Sequence, residues 1–230
     1  MICKIADLGV DIPDVGNMLE RSEAYKCSCK ADIVLEKEKM SSDFFPNLSV
    51  NDNYYLDSGF MFYRKLLAFQ GMMLHSSAVV VDGFAYLFSG PCGIGKSTHT
   101  ALWQEEFGES AVIINDDKPA LRLIDGKWIA FGTPWCGKNG INQNMSAPLA
   151  GICFLHRGDT LIKRLDPLEA LPLVLMQTNG TANMSRAKLF TPIVDSLLTN
   201  IPVFEFYNHA QSGDARITYE AMYNAKIYER

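Results

Sequence analysis

The sequence has no long uninterrupted apolar run. Its most apolar stretch, Phe60 to Leu74, is broken by Arg64, Lys65 and Gln70, and Met1 to Asp7 holds no apolar segment of the kind a secretory signal carries. Neither a membrane-spanning helix nor an export signal is expected, and the chain reads as cytoplasmic. Basic residues are also short, 21 Lys and Arg against 26 Asp and Glu for a net charge of −5. No global positive field therefore draws the protein to nucleic acid or an anionic membrane. The six cysteines follow no pattern: Cys27-Ser28-Cys29 is the only close pair, and its spacing fits no common zinc site. Reduced thiols are expected, with Cys27 and Cys29 on one face of a strand. Internal repeats and low-complexity segments are missing as well.

What is present suits one core with a small appendage: 230 residues, 48% hydrophobic and 20% charged. Residues 1–70 read as a small β-rich region, with strands over Ile2 to Leu8 and Ala31 to Glu36. A linking amphipathic helix over Tyr54 to Phe69 completes it. Residues 71–230 read as the main domain. Met72 to Val81 and Phe84 to Ser89 are strands joined by the hairpin signal Asp82-Gly83, and Ala120 to Ile124 and Trp128 to Phe131 flank a second, Asp125-Gly126. Ala111 to Ile114 is a short buried strand. Ala150 to Leu155 and Leu161 to Leu165 make a pair around Arg157-Gly158-Asp159, and Gly132 to Pro148 is a loop. Helices are expected over Pro167 to Thr178, Ala187 to Thr199 and Ser212 to Tyr228, with a strand from Pro202 to Tyr207.

The most informative segment is Gly90-Pro91-Cys92-Gly93-Ile94-Gly95-Lys96-Ser97, which spells G-x-x-x-x-G-K-S between an apolar strand and the start of a helix. Gly90, Gly93 and Gly95 permit backbone conformations that turn successive N–H groups onto phosphate oxygens. The following helix adds its positive end at Ile94 to Thr98. Lys96 would reach the outer phosphates and the Ser97 hydroxyl would serve Mg²⁺. A carboxylate at the end of a neighbouring buried strand would complete the metal site, and Asp116-Asp117 stands there. Adjacent side chains on extended backbone point oppositely, so one carboxylate could serve the metal and the other could take a proton from an attacking hydroxyl. Trp135 and Lys138, on the glycine-flanked loop 132–142, are candidates to contact substrate. His99, inside the helix after the loop, reads as surface packing.

His75, an apolar hairpin, Gly90 to Ser97, and a strand ending in Asp116-Asp117 together resemble the catalytic domain of HPr kinase/phosphorylase, a relative of phosphoenolpyruvate carboxykinase. Leu74-His75-Ser76-Ser77-Ala78-Val79, Gly132-Thr133-Pro134-Trp135-Cys136-Gly137 and Pro202-Val203-Phe204-Glu205 are similar to HPr-kinase-like proteins found beside peptide-modification genes. The resemblance implies an α/β fold with a P-loop core of mixed, hairpin-rich sheets. It implies Lys96 on phosphate, Ser97 and Asp117 on Mg²⁺, Asp116 as catalytic base and His75 assisting Asp116. It also suggests a homo-oligomer. Pro91 replaces an acid of the family's loop, and the family's HPr-engaging signature is not recognisable, so HPr itself is not expected as acceptor.

The reading is thus an ATP- and Mg²⁺-dependent kinase acting on a hydroxyl of a peptide, protein or small molecule. The alternatives are an ATP-binding accessory or sensor without chemistry, and a carboxykinase-like small-molecule enzyme.

Overall fold

The computed structural model describes residues 1–178 and 184–226, so residues 227–228 of the expected last helix lie outside the described residues. The strands are β1 (Ile2–Ile5), β2 (Leu8–Asp11), β3 (Ile33–Val34), β4 (Gly71–Met73), β5 (Ser76–Val81), β6 (Phe84–Ser89), β7 (Val112–Asn115), β8 (Ala120–Ile124), β9 (Lys127–Phe131), β10 (Ser146–Arg157), β11 (Leu161–Leu165) and β12 (Val203–Asn208). The helices are α1 (Met18–Arg21), α2 (Val50–Leu66), α3 (Lys96–Phe107), α4 (Pro167–Met176), α5 (Met184–Asn200) and α6 (Asp214–Ala225). Among the described residues, β1 to β3 form one small sheet and the other nine strands a curled mixed one.

Local chemistry explains most boundaries. Asp82-Gly83 and Asp125-Gly126 each take positive φ at both positions, 52° and 77° in the first and 49° and 77° in the second. That is the twist a two-residue hairpin needs. Ala6-Asp7 does the same without glycine, at φ 53° and 58°, and folds the expected Ile2 to Leu8 strand into the β1–β2 hairpin. Ser49 caps α2 by accepting the Asp52 N–H, and Asp166 with Glu169 forms a capping box on α4.

The strand expected over Met72 to Val81 is two strands. The chain breaks at Leu74-His75: β4 pairs with β8, whereas β5 pairs with β6 and β7. β10 begins at Ser146, inside the stretch expected as loop. Its first residues pair with β9 and its later ones with β6 and β12, so one long strand joins two parts of the sheet. β11 does not pair with β10 as expected. β12 inserts between them, parallel to β10 and antiparallel to β11.

β6, β10 and β12 run parallel, so their carboxyl ends share one sheet edge, where ligands of open α/β sheets bind. Side chains alternate along β6. Ala85 and Leu87 enter a core with Ala170, Val174, Phe190 and Leu197 of α4 and α5. Tyr86 and Phe88 enter another with Trp103, Ala215 and Met222 of α3 and α6. Both faces are covered, which explains the near-continuous apolar runs of β5, β6 and β10. A third core joins β1, β2 and α2 to Ala120 and Phe131 of the large sheet and to Trp135 of the loop after β9.

Two expectations about single residues change here. Cys27 and Cys29 are joined as a disulfide, with Cα atoms 5.5 Å apart, on a loop rather than a strand. His99 is buried, not a surface residue. Phe88 and Phe206 pack on its ring, and Nε2 lies 3.0 Å from the Thr218 hydroxyl of α6. Among the described residues, no helix is long and apolar enough to cross a membrane.

Candidate active site

The Gly90–Ser97 segment joins the end of β6 to the start of α3. Gly90, Gly93 and Gly95 take φ of 140°, 80° and 111°, conformations that side chains with a Cβ rarely adopt. Gly95 caps α3 without a side-chain hydrogen bond, and no acidic residue lies in the first turn. The first-turn N–H groups and the positive end of α3 are therefore left for an anion. Lys96, the first helical residue, turns back so that Nζ donates to the carbonyls of Gly90 at 3.0 Å and Pro91 at 3.3 Å. Burial lowers its pKa, and the neighbouring Asp117 charge opposes that. Ser97 and Thr98 are exposed.

Asp116 and Asp117 follow β7, and Asn115 determines how they diverge. The buried Asn115 side chain accepts from the N–H groups of Asp117 at 2.9 Å and Lys118 at 2.6 Å, and donates to the carbonyls of Thr133 and Trp135, both at 3.0 Å. This turn sends Asp117 toward the glycine loop and Asp116 toward the 132–140 loop. Oδ1 of Asp117 lies 2.9 Å from His75 Nε2, and Oδ2 meets the Lys118 ammonium. Burial alone would raise the Asp117 carboxyl. The His75 hydrogen bond and Lys118 outweigh it and hold the group at about 2, so it is ionised at neutral pH. Asp116 is the opposite case. Its Oδ1 accepts from Gly137 N–H at 2.5 Å, yet burial, helped by the Asp117 charge, raises its pKa.

His75 therefore touches Asp117, not Asp116 as the family resemblance implied. Its other ring nitrogen, Nδ1, lies 3.0 Å from Oε1 of Gln177, and its backbone N–H donates to the Gln177 carbonyl at 2.7 Å. The break between β4 and β5 makes this possible by placing His75 at a corner of the sheet edge.

Trp135, a candidate substrate contact, lies in the core instead of at the surface. It is fully buried, stacks on Phe62 at 4.7 Å, and donates its indole N–H to Ser58 Oγ at 3.0 Å. A Cβ on Gly59 would meet its ring at 2.9 Å, so glycine there is what lets α2 approach. The Tyr55 hydroxyl meets both Cys136 N at 2.6 Å and Cys136 O at 2.8 Å. Helix α2 thus braces the loop that holds Asp116. Lys138 lies on the exposed tip of that loop, next to Gly137.

Two cavities open at the sheet edge on either side of the glycine loop. One, of about 320 Å³, lies at the Gly93 to Thr98 end and is walled by Arg157, Asn208 and His209. The other, of about 310 Å³, lies at the Gly90–Pro91 end, walled by α4 and the ends of β10 and β12. Among the described residues no group of three or more His, Cys, Asp or Glu gathers to hold a metal unaided. The Ser97 hydroxyl and the Asp117 carboxylate are oxygen donors of the kind Mg²⁺ takes alongside water and phosphate oxygen, and both carboxylate oxygens are engaged here by His75 and Lys118.

The structure brings His75, Lys96 and Asp117 together beside the loop and sets Asp116 one residue away, facing Gly137. Lys118 and Gln177 were missed. The Asp-Asp-Lys adjacency could have pointed to Lys118; Gln177, 102 residues from His75, had no sequence signal. No protein-family model and no curated protein matches the sequence. Among solved structures, the HPr(Ser) kinase/phosphatase from Coxiella burnetii is similar, at 13% identity and a TM-score of 0.39, over 66% of this chain and 88% of that one. Neither fold nor residue roles are carried across a likeness at this level.

Proposed function

We propose that the protein is an ATP- and Mg²⁺-dependent phosphotransferase that moves the γ-phosphoryl group to a hydroxyl. The observation that carries the reading is one juxtaposition: a loop of three positive-φ glycines opening a helix with no side-chain cap, with Lys96 and the His75–Asp117 pair beside it. Such a loop suits a polyphosphate. Its backbone N–H groups and the α3 terminus take the inner phosphates, and Lys96 leaves the Gly90 and Pro91 carbonyls to reach the outer ones. The nucleoside then extends past Thr98 into the cavity walled by Asn208 and His209.

Ser97 and Asp117 would hold Mg²⁺, which supplies neutralisation of charge on the phosphates when bound. His75, fixed by Gln177, positions the Asp117 carboxylate. Asp116, whose raised pKa suits proton acceptance, takes the acceptor's hydroxyl proton as the new O–P bond forms and the bond to the β-phosphate oxygen breaks. The products are the phosphorylated acceptor and ADP, and Asp116 returns the proton to water.

Turnover of γ-labelled ATP by Asp116→Asn and Asp117→Asn, with ATP affinity measured in parallel, tests these roles. Asp116→Asn should keep ATP affinity and lose transfer by about 100-fold or more, and Asp117→Asn should lose the Mg²⁺ dependence of binding. Full transfer by Asp116→Asn would overturn the base assignment. A second reading, an ATP-binding sensor without chemistry, is favoured by the Lys118 ammonium resting on the carboxylate the metal needs. It predicts ATP binding with no transfer in the unaltered protein.

A further inference from the structure

The cavity at the Gly90–Pro91 end of the loop shares Ile94 and Arg157 with the one given to the nucleoside, but its other walls are of a different kind. Leu173 and Met176 of α4 face Phe154 and Tyr207 from the ends of β10 and β12, with Pro91 on the loop side. Gln177 lies on the same wall and is also the residue that holds His75, through both its backbone carbonyl and its side chain. The cavity is thus one residue from the His75–Asp117 pair. It also borders the two carbonyls that carry the Lys96 ammonium, the group that marks where the outermost phosphate would lie. Met176, on its rim, is 74% exposed. An apolar side chain uncovered at the mouth of a pocket is available to a ligand seated there, and methionine adapts to apolar groups of varied shape. Of the polar groups on its walls, the His156 ring stacks on Tyr207 with Nε2 3.1 Å from Glu205, and Arg157, shared with the other cavity, reaches the Gly93 carbonyl at 3.4 Å.

We propose that this cavity is the acceptor subsite, and that it selects an alcohol flanked by an apolar group, aliphatic or aromatic, seated between Leu173, Met176 and Tyr207. The inference rests on the phosphotransfer reading above. With the apolar group in the cavity, the hydroxyl points past Gln177 toward His75 and the outer phosphate. Its oxygen bonds to the γ-phosphorus and ADP leaves, while its proton passes by way of water to Asp116, which faces Gly137 rather than this cavity. The flanking group could belong to a free small alcohol or to the residue beside a serine in a peptide, and both present the same chemistry to these walls.

The test uses full-length protein with ε-methyl-¹³C methionine, the Met176 signal being assigned by its loss in Met176→Leu. An ATP analogue that cannot be hydrolysed is present throughout the binding arm. Benzyl alcohol and an acetylated Leu-Ser-Leu amide are the probes, and an Asp-Ser-Asp amide is the control. The expected result is a Met176 methyl shift with one or both apolar probes and none with the control. Benzyl alcohol alone would identify a small-molecule acceptor and the peptide alone a peptide acceptor. In a second arm, label transfer from ATP to the responding probe is followed in the unaltered protein and in Met176→Glu. That substitution lies at an exposed position and should raise the probe's KM by about tenfold or more beyond any change in ATP affinity, which is measured alongside. A Met176 shift without label transfer would sink the phosphotransfer reading and keep the pocket. Transfer to a probe with no Met176 shift, equal use of the Asp-flanked control, or an unchanged KM in Met176→Glu would each overturn the subsite.

Discussion

Replacing Trp135 separates a core role from a substrate-contact role, because the two predict different losses. The side chain is fully buried, stacked on Phe62 and edge-on to Tyr63, and its indole N–H is spent on Ser58. Trp135→Ala removes that whole volume from between α2 and the 132–140 loop. Large aromatic-to-alanine changes in cores cost about 3–5 kcal/mol, a large share of the roughly 5–15 kcal/mol that holds a domain folded. Trp135→Phe keeps the stack and loses mainly the hydrogen bond, at a cost of about 1–2 kcal/mol. Ser58 Oγ still donates to the Tyr55 carbonyl in that variant, which limits the damage. Urea unfolding at constant slope reads both values directly. A double-mutant cycle of Trp135→Phe with Ser58→Ala should recover most of the smaller one as coupling. If Trp135→Ala unfolded within about 0.5 kcal/mol of the unaltered protein, the range of ordinary surface changes, the bracing of the loop by α2 would be refuted.

Gly137→Ala should cut turnover with no change in net charge, because a Cβ there would stand 2.8 Å from Oδ2 of Asp116 and displace the carboxylate. Single-turnover rates at saturating ATP check this, and a rate equal to that of the unaltered protein would show that Asp116 is not held where proposed. His99 gives a pH signature. Burial lowers its pKa from 6.5 to about 3, so the unfolded chain binds the extra proton between those values. The stability is fully present above pH 6.5 and falls as pH drops toward 3, by up to about 1.4 kcal/mol per pH unit. Urea midpoints between pH 7 and 4 should fall less steeply in His99→Gln, and equal slopes would exclude His99 as the source.

The parts of this account that were legible in the sequence are those set by short-range chemistry. The two Asp-Gly turns, the glycine loop between β6 and α3, and the opposed directions of Asp116 and Asp117 all follow from neighbours along the chain. What was not legible depends on tertiary contact. His75 meets Asp117 because the chain turns a corner at Leu74-His75, and the apolar run Met72 to Val81 gives no sign of a break there. The insertion of β12 beside β10 is set by the long path through α4 and α5. Burial of Trp135 and His99 depends on α2 and α6, distant in sequence, so a tryptophan on a glycine-flanked loop read as a contact residue and a helical histidine as a surface one.

The central claim is that the Gly90–Ser97 loop holds a triphosphate with Mg²⁺ against Ser97 and Asp117. Calorimetric titration of ATP, with and without Mg²⁺, into the unaltered protein and into Lys96→Ala measures this most directly. The account predicts binding strengthened by Mg²⁺ in the former, and affinity lower by about tenfold or more, some 1.4 kcal/mol, in the latter. Equal affinity in both proteins, or no binding by the unaltered protein, would contradict it.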